Sequence, residues 1–246
     1  MASTKAQNRL IRAIPAPYRK AFVADLTPTE IAAHSVLAAA GRPMPEVHFP
    51  VGAVISALYQ SGGMAIEIHG VGREGMLGSD VLFAPEHIRF DLVCQIPGSL
   101  LSMPYTTFKA HIQQSDALAR ALSLYSLSVL AFLTQSAACN GLHTIAQRCA
   151  RWLLTTCDRV GALEFPLTHD LLARLLGVRR PGVSIAVSRL QHLALIQYHF
   201  GRIRILDKEN LEAESCECYG IVVRETARIF RRATTAGASP RGEFVG

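Results

Sequence analysis

The sequence predicts an α+β chain: an antiparallel β roll of the jelly-roll kind, a long helix, and a helix-turn-helix followed by a β-hairpin wing. Three observations carry that reading. Residues 44–105 are broken by glycine and proline at short intervals, residues 115–140 contain neither, and residues 168–206 join two short amphipathic helices to a basic hairpin. The 246 residues suffice for two modest domains, each with its own core. Apolar residues make up 50% of the chain and charged residues 18%, below the roughly 25% of an average soluble protein, which excludes disorder and a coiled-coil rod. With 18 Gly, 12 Pro and 6 Cys spread over the whole length, collagen-like and disulfide-scaffold chains are excluded as well.

The start, MASTKAQNRLIRAIPAP, has no uninterrupted apolar core before a small-residue cleavage site, so no secretory signal is read and the expected compartment is a reducing cytoplasm with cysteines as thiols. Residues 5–40 read as two short helices around Ile14-Pro15-Ala16-Pro17, then a helix from Pro28 to Ala40 stopped by Gly41. From Met44 the texture changes. Pro50, Gly52, Gly62-Gly63, Gly70, Gly72, Gly75, Gly78, Pro85, Pro97-Gly98 and Pro104 separate short runs such as Val54–Tyr59 and Ala65–Ile68. Short strands spaced roughly 8–12 residues apart with such turns indicate an antiparallel barrel or jelly roll.

After Ser115 helix takes over. Leu118, Leu122, Tyr125, Val129, Phe132 and Ser136 follow a 4-3-4-3-4 spacing, the seam of a helix paired with its own copy, while Leu124, Leu127, Leu130 and Ala131 form a second apolar face. Two apolar sides need two partners: the chain's own roll and a second subunit, the alternative being burial of both sides inside a single domain. The subunit seam is predicted along Leu118, Leu122, Tyr125, Val129 and Phe132. Between Arg120 and Arg148, 27 residues carry no acid, lysine or arginine, enough to span a bilayer. Ser123, Ser126, Ser128, Thr134, Gln135, Ser136, Asn140 and Gln147 interrupt that run, and no membrane span is read. Asn140-Gly141 closes the helix, and another follows from Ile145 to Val160, ended by Gly161.

The segment LTHDLLARLLGVRRPGVSIAVSRLQHLALI carries the strongest signal. Thr168 can cap a first helix whose buried face is Leu171, Leu172, Leu175 and Leu176. Gly177 supplies a positive-φ turn, with Val178 plugging the corner. On the second helix Val183, Ala186, Val187 and Leu190 point inward, and Pro181 sits in the first turn, where a missing N–H costs little. Arg180, Ser184, Ile185, Ser188 and Arg189 are left on the outer face, as a helix lying in a DNA major groove needs. The hairpin Ile196–Leu206, with Tyr198 and His199 before Gly201-Arg202, fits a wing resting on phosphates, and a short helix follows at about 207–215. Charge agrees. Of a net +6, residues 1–140 hold 10 Lys+Arg against 9 Asp+Glu, whereas residues 168–204 alone hold six Arg and one acid, Asp170. A local basic field of this kind attracts nucleic acid.

On Val47-His48-Phe49-Pro50, Val71-Gly72-Arg73-Glu74-Gly75-Met76-Leu77-Gly78, Ala150-Arg151-Trp152-Leu153-Leu154 and LTHDLLARLLGVRRPGVS, the chain resembles the cyclic-AMP receptor protein and FNR (Crp/Fnr) family of bacterial transcription regulators over about residues 8–220. The resemblance implies a cyclic-nucleotide-binding-like roll in residues 1–115, a dimerisation helix in 116–142, a winged helix-turn-helix in 143–215 and a C-terminal tail, 216–246, frayed after Arg232. It also implies a homodimer on two-fold double-stranded DNA that contacts RNA polymerase. The candidate DNA-contacting residues are Thr168, His169, Arg179, Arg180, Ser184, Ile185, Ser188, Arg189, His199 and Arg202. The rival reading is a ligand-binding signalling module that docks proteins through its basic face.

The family pattern breaks in two places. Members that bind cyclic AMP place a glutamate in a Gly-Glu-Leu segment to hold the ribose, and an Arg-Ser or similar pair to hold the phosphate; here Met76 stands in Gly75-Met76-Leu77-Gly78, and Arg89-Phe90 lacks the hydroxyl. Cyclic AMP is therefore not expected. Nor is an N-terminal iron–sulfur cluster, since no cysteine precedes Cys94. Cys149 and Cys157 read as small core residues. Cys216-Glu217-Cys218 has the look of a metal or redox pair, but with two thiols and no nearby histidine in the sequence no metal site is assigned. Glu67 and His69 share a strand face and His48 lies a strand away, but the spacing is not that of an iron oxygenase, and no catalytic residues are assigned.

Overall fold

The computed structural model describes residues 8–79 and 87–235. The readings of residues 1–7 and of Pro85 lie outside these, as does that of a frayed end after Arg232 except for residues 233–235, which are helical.

The N-terminus is fastened before the roll begins. Asn8 caps helix α1 (Arg9–Ala13) by accepting from the Ile11 N–H, while its amide donates to the carbonyls of Pro50 and Gly75, both at 2.8 Å. Helix α2 (Ala16–Ala24) starts beyond Pro15. The expected helix from Pro28 to Ala40 is absent. Those residues form strands β1 (Thr27–Ile31) and β2 (Val36–Ala38). A Thr- and Ile-bearing segment interrupted by Pro28 gains more from pairing at a sheet edge than from an isolated helix.

The roll is completed by β3 (Glu46–Pro50), β4 (Val54–Ser61), β5 (Met64–Val71), β6 (Asp91–Ile96) and β7 (Gly98–Pro104). Its strands run antiparallel in two sheets, ordered β1-β7-β3 and β2-β6-β4-β5. One core lies inside the roll, around Ala53, Ile55, Val71, Leu77, Leu92 and Cys94. A second lies outside the β3–β7 sheet, where Phe22, Phe49 and Phe108 meet edge to face at 5.6–6.3 Å. Phe108 belongs to α3 (Tyr105–Gln113), which leads into the long helix α4 (Asp116–Leu142), capped by Ser115.

The faces of α4 are the reverse of the expectation. Leu118, Leu122 and Tyr125 are buried in the chain's own core with Leu101, Met103 and Phe108, Val129 packs against the same cluster, and Phe132 lies between His69 and Arg159. The predicted subunit seam is thus occupied by the roll. The solvent-facing positions are Arg120, Ser123, Leu127, Leu130, Thr134 and Ala137, again spaced by three and four. Both faces have seam periodicity, so periodicity alone could not tell them apart. By length and composition α4 could cross a membrane despite its polar interruptions. In the fold it is flanked instead by the roll and by the last helix.

That last helix is a second correction. Residues read as the start of a tail form α9 (Cys218–Thr235), which packs along α4. Between them stands the C-terminal domain: α5 (Ile145–Val160), β8 (Glu164–Pro166), α6 (His169–Leu176), α7 (Arg180–His192), β9 (Ile196–His199), β10 (Arg202–Ile205) and α8 (Lys208–Glu214). Trp152, Leu153, Phe165, Leu172, Leu176, Val183, Val187, Leu190 and Ile203 form its core, with Cys149 and Cys157 buried among them as expected.

Two roll histidines couple the fold to pH. Burial lowers His48, whose Nδ1 is 2.7 Å from the Ser102 hydroxyl, to about 4, and burial with the nearby Arg159 cation lowers His69 to about 3. The unfolded chain takes up these protons below about pH 6.5 while the native chain does not. Stability therefore falls as pH drops from about 6.5 to about 4, by on the order of 3 kcal/mol through His48 alone. Urea unfolding between these pH values should show the loss, and His48→Gln should flatten the slope; an unchanged slope rejects the assignment.

Candidate nucleic-acid interface

Helices α6 and α7 are joined by Gly177 at φ 63°, a left-handed turn that a side chain would strain. Thr168 caps α6 by accepting from the Leu171 N–H, and Pro181 occupies the first turn of α7 as expected. Three parts of the domain meet at His169. Its Nδ1 is 3.0 Å from the Ser184 hydroxyl of α7, and its ring lies 4.5 Å from Tyr198 of β9. Burial lowers its pKa, with Arg180 adding to the effect, so the ring is neutral near pH 7. His169 is thus a positioning residue that sets the second helix against the wing.

On α7, Val183, Ala186, Val187 and Leu190 are buried, and Arg180, Pro181, Ile185 and Ser188 are exposed, Ile185 at 73%. Arg179 is exposed at the N-cap. Arg180 pairs with Asp170 at 3.2 Å, which aligns the guanidinium along the helix start. Arg189 stands at the flank and pairs with Glu214 at 2.7 Å, away from the centre of the outer face. In the wing, Arg202 and Arg204 share the carboxylate of Glu164 at 2.8 and 3.1 Å, which holds that carboxyl below its ordinary range.

Sequence reasoning missed Arg204 and Phe200. Phe200 and Gly201 form a two-residue turn with both φ values positive, 45° and 71°, the geometry that matches hairpin twist. A bulky residue there is strained, and its ring is 91% exposed at the tip of the wing beside His199. The signal was present: a phenylalanine immediately before a hairpin glycine has no core to enter.

The segment Val71–Gly78 clamps the roll to α5. Arg159, 4% exposed, pairs with Glu74 at 3.1 Å and stacks over Phe132 at 5.1 Å. Arg73 donates to the Asp158 carbonyl through its side chain, and its backbone N–H donates to the Arg159 carbonyl. Gly72 permits this approach, since a Cβ there would lie 2.4 Å from Cβ of Arg159. Met76 is buried, and the Tyr125 hydroxyl donates to its carbonyl and accepts from its N–H. Between roll and α4 lies a cavity of about 520 Å³, its described lining largely apolar, with His69, Met76, Ile88, Leu92 and Val129 in its wall and Arg89 exposed at the rim.

The residues weighed as an iron site do not converge. Glu67 bonds the Ser56 hydroxyl and the Trp152 indole, and His48 bonds Ser102. A different set does converge. The last turn of α4 and the start of α9 bring Cys139 and His143 to Cys216 and Cys218, which corrects the expectation that no histidine stands near those two thiols.

The arrangement defines a class: a sensor-like roll, a long helix, and a winged helix-turn-helix with its basic helix exposed. Residues 147–214 match the Crp-like helix-turn-helix domain. No curated protein sequence matches the chain. Its fold is shared with solved structures at low identity. FixK2 from Bradyrhizobium japonicum superposes at TM-score 0.67 with 17% identity, covering 78% of this chain and 98% of FixK2. The c-di-GMP-responsive global regulator CLP from Xanthomonas campestris gives TM-score 0.62 and 16% identity over 78% of this chain and 99% of that one. A CRP-family transcriptional regulator from Thermus thermophilus gives 0.62 and 17%, over 76% and 96%. Residues 147–214 thus carry a Crp-like helix-turn-helix domain, and most of the chain shares the fold of these solved structures.

The clamp generates a prediction. Glu74→Ala strands the buried Arg159 cation and should cost roughly 3 kcal/mol, the low end of the range for breaking a buried pair because Glu74 is partly exposed. Denaturant unfolding compared with Glu30→Ala, a control at an exposed carboxylate, measures it; equal effects dismiss the clamp.

Proposed function

We propose that the chain binds a two-fold double-stranded DNA site as a homodimer and regulates transcription from it. The observation that carries this reading is the meeting of α6, α7 and the wing at His169, which leaves Arg179, Arg180, Ile185 and Ser188 toward solvent on one basic face, with Ser184 half-buried against His169 beside them. Arg180 reads guanine through a two-pronged bond to O6 and N7, and Ile185 packs on a thymine methyl. Thr168, at the α6 N-terminus, with Arg179, Arg202 and His199, contacts phosphates. Arg180 and Arg202 exchange their carboxylate partners, Asp170 and Glu164, for DNA.

The subunit seam is the exposed stripe of α4 centred on Leu127 and Leu130, which are 48% and 55% exposed. The roll acts as a sensor of something other than cyclic AMP, because buried Met76 offers no carboxylate to a ribose and its backbone polar groups are already bonded to Tyr125. RNA polymerase contact and a cytoplasmic site of action follow from the role, and no catalytic step is assigned. Selection from a random DNA pool tests the reading; a protein that enriches no sequence while capturing a partner through its basic face is the signalling module instead.

Two measurements refine it. Arg180→Ala should relax preference at one base position of each half-site, a change of about 1–3 kcal/mol, whereas Arg202→Ala should weaken all sequences alike and lower the salt slope by roughly one. A uniform loss for Arg180→Ala means that the helix is misplaced. Leu130→Glu should sediment as a monomer and lose DNA binding, because two carboxylates meet across the axis. A Leu130→Glu protein that stays dimeric puts the seam elsewhere.

A further inference from the structure

We propose that Cys139, His143, Cys216 and Cys218 bind a single zinc ion, which ties the C-terminal end of α4 to the junction of α8 and α9. The four donor atoms lie within 4.8 Å of one another. Sγ of Cys139 is 3.5 Å from Sγ of Cys216, and Sγ of Cys218 is 3.6 Å from Nδ1 of His143. A regular tetrahedron with metal–sulfur bonds of about 2.3 Å has edges of about 3.8 Å, so one ion fits between these atoms with little movement. Thiolates with an imidazole suit zinc, whereas magnesium and calcium take oxygen donors. A cluster of several irons needs its thiolates spread farther apart than this set allows.

The surroundings support the donors. Cys139 in the last turn of α4 and His143 at its C-cap are held together by the bond that the His143 N–H donates to the Cys139 carbonyl. Nε2 of His143 is 3.3 Å from the Glu217 carboxylate, a partner that leaves Nδ1 free for a metal. The Gln135 amide donates to Sγ of Cys218 at 3.1 Å, a bond that favours a thiolate. Three thiolates and one divalent ion leave a net negative charge, and the Arg151 guanidinium stands close by, donating to the Ser136 hydroxyl one turn before Cys139. The three cysteines are 0–2% exposed and form a buried cluster of their own, apart from the larger apolar cores. Three clustered thiols give less apolar burial than leucines would, which is expected of ligands and not of core residues.

Binding releases the thiol protons to solvent and joins segments 77 residues apart in the chain. His143 is also the C-cap of α4, one residue before the Thr144 cap of α5, so the ion fixes the angle at which the DNA-binding domain leaves the long helix. None of this depends on which DNA sequence is bound.

The test uses the full chain purified under reducing conditions from zinc-supplemented medium. Elemental analysis should find about one zinc per chain, released by a mercurial thiol reagent. Cobalt added to the chelated protein should give the visible bands of a tetrahedral, thiolate-ligated ion. Cys216→Ser and His143→Ala should lose the zinc and the cobalt spectrum, and Cys157→Ser should keep both. The cobalt titration of unaltered protein stands even if a variant fails to fold. Reduced protein that holds no zinc and gives no tetrahedral cobalt spectrum overturns the proposal. So does iron with acid-labile sulfide, or a Cys139–Cys216 disulfide that persists under those conditions.

Discussion

The Glu74–Arg159 pair is the constraint around which the two halves of the molecule are arranged. Arg159 ends α5, the helix that carries the DNA-binding domain, and it is buried against a roll loop. A guanidinium cannot be left unpaired at that depth without a penalty of several kcal/mol. Glycine at position 72, the Arg73 bond to Asp158 and the Phe132 face around Arg159 all serve that burial. The neighbouring Gly75-Met76-Leu77-Gly78 segment is committed in part to intramolecular work, since the Met76 backbone bonds the Tyr125 hydroxyl. The helix-turn-helix domain is coupled to the roll there, and also through the Trp152 indole bond to Glu67 and the packing of Val54 and Ile96 into the C-terminal core.

The DNA-binding domain was legible in the sequence because its signals are local. Gly177, the leucine face of α6 and the alternation Ile203–Ile205 each depend on residues a few positions away. The first two strands were not legible: Pro28 to Ala40 has composition compatible with a helix, and only pairing with β6 and β7, far along the chain, makes it extended. The seam on α4 failed for another reason. Both faces repeat every three or four residues, and which one is covered depends on where the roll docks. The cysteine–histidine cluster was half visible, as Cys216-Glu217-Cys218, and its other half was hidden by distance along the chain.

Four arginines of the helix-turn-helix domain are already paired with carboxylates. Asp170 holds Arg180, Glu164 holds Arg202 and Arg204, and Glu214 holds Arg189. Exposed pairs of this kind contribute little to stability, about 0–1 kcal/mol. Their larger effect is to keep long side chains extended and ordered, so that less rotamer freedom is lost on contact. Ile185 and Phe200 are exposed apolar points on the same domain, Phe200 lying against the neighbouring His199 ring.

Helix α4 has two working surfaces on one rigid body. Val129 and Leu133 form part of the cavity wall, while Leu127 and Leu130 face outward a fraction of a turn away. One continuous helix therefore carries the cavity wall on one side and the outward stripe on the other, and its C-cap, His143, stands next to the Thr144 cap of α5. No strand or loop intervenes between the two surfaces or between either surface and the start of the next domain.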